Sequence, residues 1–92
     1  MKIVIAGAGE VGSHLAKMLN NETNEITVID ADHTRLDALA ATTDVVTVEG
    51  SPSSIEVLNE AGVAEADLFI AHSKTLSPIS QWFWHYKRYF YP

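Results

Sequence analysis

Two kinds of stretch alternate along the chain. Short unbroken apolar runs are followed by longer stretches in which apolar residues recur every three or four positions. Residues 2–6 (KIVIA) form the first run and stop at Gly7. A β-branched run without polar alternation suits a strand buried on both faces. Around and after Gly12, residues Val11, Leu15, Met18 and Leu19 fall on one face of a helix, and Asn20-Asn21 suits its end. Residues 25–29 (EITVI) predict a second strand ending at Asp30, and Leu36, Leu39 and Ala40 a second helix capped by Asp32. Residues 45–48 (VVTV) predict a third strand ending at Glu49-Gly50. Ser53 and Glu56 have capping-box spacing ahead of Ile55, Leu58 and Ala61, with Gly62 placed to close that helix. Residues 67–71 (DLFIA) predict a fourth strand.

The order β-α-β-α-β-α-β, at about 20–25 residues per unit, is the signature of a parallel α/β sheet. Right-handed crossovers and Rossmann connectivity then give a partial, four-stranded Rossmann-like sheet of order 3-2-1-4 with flanking helices. The chain reverses between strands 1 and 4, so a ligand belongs above their C-terminal ends.

That is where the sequence carries its chemistry. Gly7, Gly9 and Gly12 have the spacing G-x-G-x-x-G, and Asp30 ends strand 2, 18 residues beyond Gly12. A strand before the glycines, a helix after them and an acid at that distance are the context a dinucleotide fingerprint requires. Gly7 permits the tight turn, Gly9 lets a diphosphate approach the backbone, and Gly12 lets the helix pack closely. Free N–H groups and the dipole at the helix start favour the phosphate charge. The backbone of Ala8, Glu10 and Val11 completes the loop, with the Glu10 side chain expected in solvent. Asp30, followed by Ala31, can accept from both ribose hydroxyls. Its charge repels a 2′-phosphate, which favours NAD(H) or ATP/ADP over NADP(H). Arg35 lies nearby, one turn into the helix, and is not read as an NADP switch. Gly50-Ser51 follows strand 3 at the level of the adenine, and His72 and Ser73 follow strand 4 toward the cleft.

Composition narrows the partners. The chain has 92 residues, enough for one small domain. It has no cysteine, so disulfides and thiolate chemistry are out. Its net charge of −6 argues against nucleic acid or anionic lipid held by overall charge. No apolar run approaches a signal core or the roughly 20 residues of a membrane span, and a cytoplasmic location is expected. His14, His33, His72 and His85 lack metal-ligand spacing, and no metal site is expected. No Ser/His/Asp set or paired catalytic carboxylates stand in a plausible place, so no catalytic residues and no enzyme activity are expected.

Charge also divides the chain. Residues 1–72 hold all 12 acids against three bases, while residues 73–92 hold Lys74, Lys87 and Arg88 and no acid. Seven of the ten residues 82–91 are Trp, Phe or Tyr. The expected organisation is a partial nucleotide-binding domain over 1–72 and an atypical aromatic and basic tail over 73–92. Three readings fit the tail. It is a frameshifted or truncated end, the favoured one; a cover for the edge of strand 4; or an interfacial anchor, with Ile79, Phe83, Tyr86 and Phe90 at helical spacing.

The stretches "MKIVIAGAGEVGSHLAKML", "EITVIDADHTRLDALA" and "VVTVEGSPSSIEVLNEAGVAEADLFIA" resemble the N-terminal nucleotide-binding domains of Trk potassium-uptake regulators. These belong to the wider family of domains regulating potassium conductance (RCK or KTN domains). The resemblance covers residues 1–71, about three quarters of the chain. It implies a cytoplasmic subunit, peripheral to the inner face of the membrane, that binds NAD(H) or adenine nucleotides. It further implies a homo-oligomer on a membrane potassium transporter, gated by nucleotide occupancy. By position, the family's glycine loop falls on Gly7, Gly9 and Gly12, its ribose acid on Asp30 and its adenine-side turn on Gly50-Ser51. The family commonly has an acid after that last glycine, where this chain has Ser51. Family members also continue beyond strand 4 with a helix and two more strands, which carry much of the dimer contact. The alternative reading is a cofactor-binding fragment of an NAD-dependent dehydrogenase or epimerase, and a third is a small adenine-nucleotide binder acting alone.

Overall fold

The computed structural model describes residues 1–71; His72 and the 73–92 segment lie outside the described residues. The elements are β1 (Lys2–Ala6), α1 (Glu10–Leu19), β2 (Glu25–Asp30), α2 (His33–Ala40), β3 (Val46–Glu49), α3 (Ile55–Glu60) and β4 (Leu68–Ala71). A single 3-10 turn, Val63–Glu65, links α3 to β4. The strands form one sheet in the order β3-β2-β1-β4, with every pairing parallel. This is the Rossmann-like order expected from the alternation of runs.

Strand β1 is central, paired with β2 on one side and β4 on the other. That position explains its unbroken apolar run, because its side chains alternate between two buried faces. Ile3 and Ile5 join Ala16, Ile26, Val28, Leu36 and Leu39 beneath α1 and α2. Val4 and Ala6 join Ile29, Leu58, Val63, Phe69 and Ala71 on the side of α3. The helices therefore cover both faces, with the change of side where the chain crosses from β3 to β4.

Two local expectations are corrected. The buried side of α1 is not Val11–Leu15–Met18–Leu19: Val11 is exposed and Met18 is 64% exposed, while Ala16 is fully buried. The cause is Gly12. A Cβ there would meet the Gly7 carbonyl oxygen at 1.8 Å, so the helix lies against the loop along its Gly12 edge. Ala16, Leu15 and Leu19 lie near that edge, whereas Val11 and Met18 lie about 100° or more away round the helix. The second correction concerns α3. Ser54, not Ser53, is its N-cap, accepting from the Val57 N–H at 3.4 Å. Ser53 is instead held in the preceding turn, its hydroxyl paired with that of Ser51 at 2.8 Å.

Strand β3 is the edge beside β2, and its side chains are largely exposed, Val46 at 61%. Only Val48 packs against the core on the α3 side. A run that reads as a buried strand in sequence is thus largely solvated, because β3 is an edge strand that α2 and α3 cover only in part.

Candidate functional site

The parallel register brings three strand ends to one level. Ala6 aligns with Ile29 and with Ala71, and Asp30 aligns with Glu49. The Gly7 loop, the β2–α2 turn and the β3–α3 turn therefore rise from the same edge of the sheet. Gly7 leaves β1 with φ +112°, a conformation side chains rarely adopt, and its N–H still bonds to the Ile29 carbonyl at 2.7 Å. One residue on, the Ala8 N–H donates to Asp30 Oδ2 at 2.7 Å, and that bond is buried. The Asp32 N–H donates to Asp30 Oδ1, also at 2.7 Å. Asp30 is only 7% exposed and is the sole charged side chain in the core of the described residues. It ties the glycine loop to the end of β2.

Helix α1 begins at Gly9, which supplies no side-chain cap, so the first N–H groups of the helix face the space above the loop. A Cβ on Gly9 would meet nothing closer than Arg35 Nη1 at 4.0 Å. This space opens into a hollow of about 510 Å³, whose lining includes Gly7, Gly9, Glu10, Val11, Gly12, Asp30, Ala31, Arg35 and Pro52. That volume lies within the roughly 300–1,000 Å³ usual for small-molecule sites. A cradle of glycine backbone, uncapped helix N–H groups and an acid at one wall suits a ligand with anionic oxygens and a diol.

The expected site residues divide in this geometry. Gly7, Gly9, Glu10, Val11, Gly12, Asp30 and Ala31 line the hollow, and Glu10 is exposed at its rim. Ala8 is buried behind it and contributes the N–H that holds Asp30. Gly50 and Ser51 do not line it; Pro52, next in the same turn, does. The Gly50 N–H bonds to the Asp30 carbonyl at 3.0 Å, and the Ser51 hydroxyl is taken up by Ser53. His72 lies outside the described residues.

Arg35 is the functional candidate that sequence reasoning passed over. Asp32 accepts from the Thr34 and Arg35 N–H groups and so starts α2. That start directs the Arg35 side chain back over the loop, with Nη1 3.9 Å from Asp30 Oδ2 and Nε 3.7 Å from Asp32 Oδ2. Its signal in the sequence was a single base five residues after the acid. Next to it, His33 bridges α2 and β3, with Nδ1 2.9 Å from Glu49 Oε1 and Nε2 2.9 Å from Asp37 Oδ2. The Glu49 hydrogen bond, then the charges of Asp37, Glu49 and Asp32, raise the imidazole above its ordinary range. Among the described residues no group of three His, Cys, Asp or Glu side chains is placed to hold a metal ion.

Comparison with known proteins gives these features a family. The model of the TrkA-N domain matches residues 3–76, most of the chain. The chain belongs to the TrkA-N domain family. That match and the 3-2-1-4 parallel sheet make it a Rossmann-like nucleotide-binding type of domain. It is 49% identical over 71 residues to the Trk system potassium uptake protein TrkA of Haemophilus influenzae, covering 77% of this chain and 16% of that protein. Over 75 residues it is 48% identical to TrkA of Halomonas elongata, covering 82% of this chain and 16% of that one. A TrkA homolog of Archaeoglobus fulgidus is 44% identical over 71 residues, again 77% and 16%. The chain thus spans about a sixth of the length of these relatives, at 16% of each. The relatives are named for potassium uptake rather than for a catalysed reaction.

Proposed function

We propose that residues 1–72 form a nucleotide-sensing module of a potassium uptake system. In this reading it binds NAD(H) or an adenine nucleotide and biases a membrane potassium transporter between conducting states. The observation that carries the proposal is the glycine loop. Gly12 presses on Gly7 so closely that no side chain fits, while the neighbouring Gly9 faces open space beside uncapped helix N–H groups. Packing explains Gly12; among the described residues it does not explain Gly9, whose missing Cβ leaves open space beside the helix start.

In the proposed complex a diphosphate lies on the N-terminus of α1, and the ribose hydroxyls reach Asp30. Each Asp30 oxygen accepts one backbone N–H and keeps capacity for a second donor. The adenine then lies toward Pro52 rather than against Gly50 or Ser51. Names of the relatives support coupling to a potassium transporter, and assembly as a homo-oligomer at the cytoplasmic face of the membrane belongs to the same reading. No helix among the described residues is long and apolar enough to cross a membrane. Coupling requires that the nucleotide bind one conformational state more tightly than the other. The 73–92 segment, basic and aromatic where 1–72 is acidic, is read as a separate element with no part in the ligand contacts.

Isothermal titration of the purified chain with NADH and with ADP tests the reading. Saturable binding of at least one is expected. Gly9→Ala should weaken it about tenfold or more by placing a methyl in the diphosphate path, while the unfolding temperature stays within a few degrees of the parent. A folded sample that takes up neither ligand overturns the proposal, as does a Gly9→Ala protein that binds normally.

A further inference from the structure

Among the described residues Arg35 is the only basic side chain lining the hollow, which also receives Glu10 and Asp30. Without it, an incoming diphosphate would meet two carboxylates and a helix start worth about half a positive charge. Yet the guanidinium is not consumed by its acidic neighbours. Its approaches to Asp30 at 3.9 Å and Asp32 at 3.7 Å are longer than hydrogen bonds, and it makes no hydrogen bond among the described residues. Of the five N–H donors in its planar fork, those on Nη1 and Nε lie near the two carboxylates without bonding to them, and none is taken by a hydrogen bond among the described residues. Their location is specific, because Nη1 stands 4.0 Å from the point a Gly9 Cβ would occupy, and no other described atom beyond the adjoining residues comes as near to that point. The side chain is 57% exposed, so it has room to swing.

We propose that Arg35 is the phosphate receptor of this site. It closes over the 5′-diphosphate opposite the N-terminus of α1, and it makes the module discriminate nucleotides from nucleosides. The inference rests on the nucleotide reading above. The guanidinium fork matches two phosphate oxygens at once, a geometry lysine does not reproduce. The carboxylate of Asp30 stands beside Nη1, on the ribose side, and repels a phosphate placed there. The Gly9 side is open. The receptor is therefore directed at the 5′-diphosphate rather than at a 2′-phosphate.

Titration of the full chain with ADP, adenosine, NADH and NADPH, in the parent, Arg35→Ala and Arg35→Lys proteins, tests this. Arg35→Ala should lose about tenfold or more in affinity for ADP and NADH, the scale of a charged bidentate contact. Its adenosine affinity and unfolding temperature should stay unchanged, and Arg35→Lys should fall between. The ADP affinity of the parent should also drop more steeply with added salt than that of Arg35→Ala. Equal losses for adenosine and ADP would make Arg35 merely structural and overturn the inference. So would unchanged ADP binding, or a loss confined to NADPH, which would put the guanidinium at the ribose. A folded parent that binds none of the four ligands defeats the underlying nucleotide reading as well.

Discussion

Asp30 has a structural task besides the ligand contact proposed for it. Both of its oxygens already accept backbone N–H groups, from Ala8 and from Asp32, in a setting only 7% exposed. An acid at the end of β2 is therefore a structural tie before it is a ligand contact. Asp30→Asn tests the first task. An amide offers one acceptor oxygen and turns its NH₂ toward the other backbone donor, leaving one of the two N–H groups, buried at Ala8 or part-buried at Asp32, unpaired. The expected cost is about 1–3 kcal/mol, read by urea denaturation. An unchanged midpoint would show that the loop does not depend on this tie. Affinity measurements on Asp30 variants must accordingly be made below the unfolding range, where loss of fold is not mistaken for loss of contact. The glycines separate in the same way. Gly7 with φ +112° and Gly12 with its 1.8 Å clash are needed by the chain itself, and Gly9 is needed by the proposed ligand.

At the scale of elements, the turns above the sheet are joined by short polar links. Asp32 starts α2, Ser54 starts α3, and His33 links α2 to the end of β3 through Glu49 while also meeting Asp37 one turn along its own helix. The His33 link is pH-dependent. Its folded value is raised, chiefly by the Glu49 hydrogen bond and then by the charges of Asp37, Glu49 and Asp32. The imidazolium is thus favoured in the folded state. Its stabilisation is fully present below the unfolded value of about 6.5 and is lost as pH rises through the raised folded value. The unfolding temperature of the parent minus that of His33→Gln should be largest near pH 6 and shrink toward pH 8. All four groups are exposed, so the effect is small and screened by salt. A difference that stays flat across this window would show that the contacts carry no charge-dependent stability.

For the whole molecule, a single sheet with helices on both faces leaves little core to lose. Phe69 on β4 is fully buried and packs with Leu58, Val63 and Ile29 on the α3 side. Phe69→Ala should cost about 3–5 kcal/mol, comparable to the lower end of the roughly 5–15 kcal/mol that stabilises a small domain. The variant should be largely unfolded at 37 °C by circular dichroism, or show a sharply lowered urea midpoint. A midpoint close to the parent's would mean that the α3-side core is not what holds the sheet.

Much of this was legible in the residues because the physics is local. An unbroken run such as Ile3-Val4-Ile5 is costly to place anywhere but the middle of a doubly covered sheet. A G-x-G-x-x-G after such a run, with Asp30 following, leaves few backbone paths. Strand order, the capping of α2 by Asp32 and the αL closure at Gly62 (φ +82°) follow from such terms. What only the tertiary structure decided depends on close approach between distant segments. Gly12 meets Gly7 from within the first turn of α1, and that contact rotates Val11 and Met18 outward and Ala16 inward, against the apparent apolar stripe. The β3–α3 turn presents Pro52 rather than Gly50 to the hollow, because Ser51 and Ser53 hydrogen-bond to each other. Arg35 lies at the hollow because the start of α2 brings its guanidinium to within 3.9 Å of Asp30 at the end of β2, an approach that no pattern along the chain encodes. Periodicity specifies which face of an element is buried only to within a turn. The contact distances across the sheet end specify the rest.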